Sequence, residues 1–155
     1  MKRIVILAIF LLMGISAKAQ YKGQLRFIHA YEITSDRGFF GMNFGFEYLA
    51  FNYLSFHPSF TFFTPETGNA RGFDINARYY LTEKEKQWYT LLGYGHYTRV
   101  FEFNPEGIRR HNSINLGVGG MLKFRDELGI NPEIRYQPMG RNELIFKLGI
   151  VYFIN

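Results

Sequence analysis

From about residue 22 to the end, large apolar side chains recur at every second position, with small or polar residues between them. In 112–124, Ile114, Leu116, Val118, Leu122 and Phe124 share one parity, while Ser113, Asn115, Gly117, Gly119 and Lys123 share the other. In 39–48, Phe40, Met42, Phe44, Phe46 and Tyr48 alternate with Gly41, Asn43, Gly45 and Glu47. The same holds for 72–81, 128–137 and 143–154. A period of two is a strand signature, because successive side chains of a strand point to opposite faces. Eight strands are expected, at 22–33, 39–48, 51–63, 72–81, 87–103, 112–124, 128–137 and 143–154. Turn-forming residues separate them: Thr34–Gly38, Thr64–Asn69, Asn104–Gly107 and Pro138–Asn142, alternating with shorter turns near Leu49–Ala50, Thr82–Lys86 and Arg125–Glu127. The expected fold is all-β, an eight-stranded antiparallel up-and-down barrel.

Parity alone does not say which face is outside. Five large side chains from each strand would overfill a barrel whose interior is just filled at eight strands. The bulky face is therefore expected outside and the glycine-rich, charged face inside, as in a transmembrane barrel. Aromatic residues also gather towards both strand ends: Tyr48, Phe51, Tyr53, Trp88, Tyr89 and Tyr152 at one, Phe39, Phe40, Phe62, Phe63, Phe101 and Phe103 at the other. Two such belts fit the two interfaces of a bilayer. Three features strain the scheme. Pro58 and Pro132 fall inside strands and each forfeits a ladder hydrogen bond, so bulges or local ends of pairing are expected there. Arg99, sharing parity with Tyr97 and Phe101, would face outward.

The first residues read MKRIVILAIFLLMGISAKAQ: a basic start, a short apolar run, then Ala17-Lys18-Ala19. This is the pattern of a cleavable secretory signal, which places 1–19 outside the fold and makes 20–155 one barrel domain. No later run of about 18 apolar residues exists to make a spanning helix. Setting aside Lys2, Arg3 and Lys18 leaves 15 basic against 13 acidic residues, a balance with no basic stripe for nucleic acid. The chain has no cysteine, so neither a disulfide framework nor a thiolate metal site is available. The 17 Phe, 11 Tyr and 16 Gly fit strands that curve around a narrow interior.

Across 21–155 the chain resembles the small eight-stranded outer-membrane β-barrel proteins, the group of OmpA-like transmembrane barrels and OmpX-like proteins. The resemblance rests on strand number, alternation, turn asymmetry and the last strand, Leu144–Ile154, not on a diagnostic motif. It implies an outer-membrane location and dealings with outer-membrane lipid, lipopolysaccharide and the outer-membrane assembly machinery. The group's last strand usually ends in an aromatic residue; here Phe153 stands two residues from the end. With the sequence ending at Asn155, no periplasmic peptidoglycan-binding domain is expected.

Charges of lumen parity are Arg26, Glu32, Glu47, Asp74, Arg78, Lys123, Glu133, Arg135 and Lys147. Near balance of sign in a narrow interior predicts a salt-bridge network filling the lumen, without an open pore. The expected role is structural or surface-interacting, monomeric, without cofactor, metal or enzymatic activity. Two other readings remain open. Some barrels of this size deacylate lipid A with a His-x-Ser pair on one strand and a Glu on a neighbour. His111-Asn-Ser113 with Glu133 is the candidate set here, and His57-Pro-Ser59 is a second pair. An exported soluble, lipocalin-like barrel is the other. His29 and His96 show no metal-ligand spacing, and Gly117–Gly120 is read as barrel packing. Arg37, Arg71, Arg109, Arg110 and Arg141 are candidates for contact with lipopolysaccharide phosphates.

Overall fold

A computed structural model describes residues 22–35, 39–82, 85–140 and 142–154. The side chains of Pro105 and Glu106 lie outside that description, as do the signal-type segment, Arg37 and Arg141. Eight strands follow one another: β1 Leu25–Thr34, β2 Phe40–Leu49, β3 Leu54–Thr64, β4 Asn69–Tyr80, β5 Lys86–Phe101, β6 Asn104–Lys123, β7 Leu128–Gln137 and β8 Glu143–Phe153. Each pairs antiparallel with its sequence neighbours, and β8 closes onto β1.

The register fixes the shape. Leu49 bonds Gln24, and the pairing then runs through Ser55, Arg78, Leu91, Gly117, Arg135 and Ile145 to Thr34. One circuit thus advances ten residues along β1, from 24 to 34. At about 3.3 Å per residue and about 4.8 Å per strand, that stagger tilts the strands by about 40° from the barrel axis. The tilt lies in the ordinary range for a closed barrel. It leaves a lumen about 16 Å across between opposite backbones, which side chains fill.

The alternation of burial is sharp. In β2, Phe40, Met42, Phe44, Phe46 and Tyr48 are exposed while Asn43, Glu47 and Leu49 are fully buried. Phe60, Ile75, Leu92, Val118, Ile134, Leu148 and Ile150 continue the apolar outer wall. Arg26, Glu47, Arg78 and Arg135, by contrast, are 0–1 % exposed. A soluble barrel has the opposite arrangement, so nothing in this polarity supports the lipocalin-like reading. Among the described residues, no helix is long and apolar enough to cross a membrane, which says nothing against crossing with strands.

Four expectations need correction. Asn104–His111 is strand, not loop: β5 and β6 run on as a hairpin to a two-residue turn at Glu102–Phe103, with a register shift between Arg99 and Phe101. Arg99 faces inward, 9 % exposed. Tyr89, Phe39 and Phe63 are also inside, so they leave the outer belts. Finally, connection length does not separate the two ends. The start of β1 and the end of β8 lie with the connections 50–53, 81–85 and 124–127, and the other end carries the connections 35–39, 65–68, 102–103 and 138–142.

The two strand prolines interrupt pairing without shifting it. Opposite Pro58 the β2–β3 ladder stops between Gly45/Ser59 and Tyr48/Phe56 and resumes in the same register. Opposite Pro132 the β6–β7 ladder stops between Gly119/Glu133 and Leu122/Ile130, again without slipping. There the Asn131 side chain donates to the Gly120 carbonyl at 2.7 Å, replacing a donor that proline lacks.

Candidate functional site

Two surfaces qualify as sites: the lumen and the outer wall. The lumen is built by the inward parity of all eight strands. Towards the end where the termini lie, Glu47 of β2 accepts hydrogen bonds from the Ser55 and Tyr80 hydroxyls. Arg26 stands 3.6 Å and Arg78 3.3 Å from its carboxylate. Arg78 also bonds Glu133 at 2.6 Å, so one guanidinium bridges two carboxylates across the barrel. Tyr89 donates to the same Glu133 oxygen at 2.7 Å, and Lys147 lies 4.0 Å from the other. Arg26 further bonds Tyr80, Gln87 and Gln24.

Further from the termini, Arg135 bridges Glu32 at 3.2 Å and Asp74 at 3.3 Å. Asn115 donates to Asp74 and Asn76, and Gln137 donates to Asn115. Four cations thus face four anions: Arg26, Arg78, Arg135 and Lys147 against Glu32, Glu47, Asp74 and Glu133. Charge balance inside the wall is the physical condition for burying this many ions. Lys123 lies apart from this array. It sits at the rim, pairing with exposed Asp126 at 3.5 Å and lying over the Phe153 ring.

Sequence reasoning also missed apolar residues inside. Ile28, Ala30, Leu91, Met121 and Val151 cluster with Tyr80 and Tyr89. Phe39, Phe63, Ala70 and Tyr97 form a second cluster towards the other mouth, where Arg99 lies over the Phe39 ring. No rule of strict polarity could have found them; a size argument could. Glycine supplies the room: a side chain on Gly119 would run into the Tyr89 ring. A cavity of ≈ 20 Å³ remains near Tyr97, His111, Ser113 and Arg135. That is room for about one water molecule, not a diffusion path.

The proposed catalytic set is not assembled. His111 and Ser113 line that cavity, and Ser113 donates to the backbone of Ile114. Glu133 belongs instead to the Arg78 and Tyr89 cluster. In the other pair, His57 and Ser59 are fully buried on β3 and have no hydrogen-bond partner at either ring nitrogen or the hydroxyl. His29 faces outward, its ring 4.7 Å from that of Phe44. Among the described residues, no group of three His, Cys, Asp or Glu could hold a metal ion.

A closed eight-stranded wall, apolar outside and ionic inside, defines the small transmembrane β-barrel class, whose outer-membrane members this chain resembles. It shares this fold with the N-terminal barrel domain of Pseudomonas aeruginosa OprF (TM-score 0.72, 15 % identity, 87 % of this chain and 100 % of that one). A de novo designed transmembrane barrel is also similar (TM-score 0.65, 12 % identity, 88 % and 100 %). So is Ail, the attachment invasion locus protein of Yersinia pestis (TM-score 0.59, 17 % identity, 86 % and 99 %). No family model and no curated relative matches the sequence. Identities this low establish a shared fold alone, and the designed barrel is a reminder that the fold needs no biological task.

Proposed function

We propose that the protein is a small, monomeric outer-membrane barrel of a Gram-negative cell, with a structural and surface-interacting role and no catalytic step. Residues 1–19 act as its export signal, and the outer-membrane assembly machinery inserts the mature chain. The observation carrying this reading is the inversion of polarity: fully buried Arg26, Arg78 and Arg135 behind an exposed wall of Phe, Leu and Ile. Only a hydrocarbon surrounding rewards that arrangement, and there every backbone group must be bonded within a closed wall.

The lumen network acts as a plug. Arg26, Glu47, Asp74, Arg78, Glu133, Arg135 and Lys147 hold opposite walls together, with Lys123 closing the rim. The surface role falls to the end away from the termini, where the β5–β6 hairpin rises and exposes Phe103 and Ile108. Lipopolysaccharide is the lipid partner this location offers.

An outer-membrane fraction run on a gel with and without boiling tests the reading. A closed barrel resists detergent while cold and changes mobility only on heating. Recovery of the protein in the soluble periplasmic fraction, with no such shift, would overturn it.

A further inference from the structure

We infer that the outer wall formed by β3–β6 holds a phosphorylated, acylated lipid of the outer leaflet, gripped by Arg71 and Arg110. This rests on the outer-membrane reading and adds to it a defined place on the wall. Arg71 pairs with Thr98, and Thr98 pairs with Arg110, so the three form one row across β4, β5 and β6 on the outward parity. The two arginines are exposed, and their backbones stand two strand spacings apart, about 10 Å. Among the described residues neither is paired with a carboxylate.

Depth places this row at an interface. Trp88 and Thr98 are ten residues apart on β5. At the strand tilt above, that rise is about 25 Å along the axis, the height of the apolar band of an outer-membrane barrel. With Trp88 at the interface near the termini, Arg71, Thr98 and Arg110 fall at the opposite, outer one. A guanidinium there is positioned for the phosphate of a headgroup.

The row beneath is polar where a purely lipid-facing wall would be apolar. His96 pairs with Asn112, and their side chains meet at 2.7 Å. Tyr94 donates to Asn112 at 2.9 Å, and Thr98 lies 3.1 Å from the other His96 nitrogen. With its oxygen engaged by Tyr94 and His96, exposed Asn112 adds an amide NH₂ as a third donor. Beside this cluster lies a groove of ≈ 340 Å³, lined by Phe60, Phe62, Phe73, Val100, Thr98 and Arg71. Aromatic floor and cationic lip match acyl chain and phosphate. A water-soluble anion would use the lip and leave the floor uncovered.

The test takes the full chain, purified from the outer membrane into nanodiscs of phosphatidylcholine with a minor fraction of bis-phosphorylated lipid A. Native mass spectrometry reads the retained lipid. The unaltered protein and Arg125→Ala, in a turn at the other end, should retain lipid A alike. Arg71→Ala with Arg110→Ala should lower retention about ten-fold or more, and the paired lysine variant should restore part of it. Dephosphorylated lipid A should be retained no better than phosphatidylcholine, and inorganic phosphate should not displace the bound lipid. Equal retention by the double alanine variant, equal retention of the dephosphorylated lipid, or complete displacement by inorganic phosphate would each overturn the inference. The boiled and unboiled gel, run on every variant, separates these outcomes from misfolding and from failure of the outer-membrane reading itself.

Discussion

The middle of the barrel and the β5–β6 hairpin that rises from it are made of the same two strands, yet different forces hold them. At Leu91 and Gly117 each strand has a partner on both sides, and the side chains meet a packed lumen or an apolar wall. Between Asn104 and Arg110, β6 meets β5 only at Asn104, Arg109 and Arg110, on either side of a register shift, and the ladder to β7 begins only at Leu116. Arg99 and Arg109 stand directly opposite each other there, both over the Phe101 ring. Like charges opposed across a ladder are unfavourable, and the aromatic ring they share offsets that in part. The barrel middle is specified by burial, whereas the hairpin tip is held by a few β5–β6 pairs on either side of a register shift. Stability belongs to the first region and contact with the surroundings to the second.

The sharpest way to break this contrast is at Arg78. Arg78→Leu leaves Glu47 and Glu133 buried without their shared cation. A loss of about 3–5 kcal/mol is expected, as for other broken buried pairs, read from denaturant unfolding in lipid vesicles. Survival of full stability would show that the lumen plug is dispensable. Asn131→Leu removes the donor to the Gly120 carbonyl opposite Pro132 and to the Tyr89 hydroxyl at 2.7 Å. About 1–3 kcal/mol should be lost, with amide exchange rising first along the β6–β7 seam. Gly119→Leu should cost a similar or smaller amount, about 1–3 kcal/mol, because the new side chain displaces the Tyr89 ring. It is read as a lower temperature at which the compact gel band disappears.

The largest lesion should have the smallest effect. Deleting residues 102–107, which leaves Val100, Phe101 and Ile108 to link paired Arg99 and Arg109, should leave that temperature unchanged. Phe103→Ser at the tip, 87 % exposed, should change stability by less than about 0.5 kcal/mol. A marked loss in either would mean that the hairpin braces the mouth.

Legibility followed the same divide. In β2, β4, β7 and β8 the bulky and polar parities were unmistakable, because one face meets an apolar surrounding and the other a narrow ionic lumen. In β5 they cancelled. Its inward positions include apolar Leu91 and aromatic Tyr97, while its outward positions at the upper interface are His96 and Thr98. Alternation alone therefore puts Arg99 on the wrong face. Asn104–His111 read as a loop because Pro105 and Gly107 are turn residues and because both faces of the hairpin lack a hydrophobic surrounding. His111, Ser113 and Glu133 lie on the adjacent strands β6 and β7 but at different depths, Glu133 pairing with Gly119. The barrel stagger carries Glu133 into the Arg78 layer.

The sequence by itself determined the number of strands, their neighbours and, outside β5, which positions share a face, since these follow from a two-residue period and from turns between consecutive runs. Only the tertiary structure decided which ions meet. A ten-residue stagger around a closed wall brings Arg78 of β4 against Glu133 of β7, and Arg135 against Glu32 of β1. Such contacts depend on the sum of eight registers, and no single stretch of sequence contains that sum.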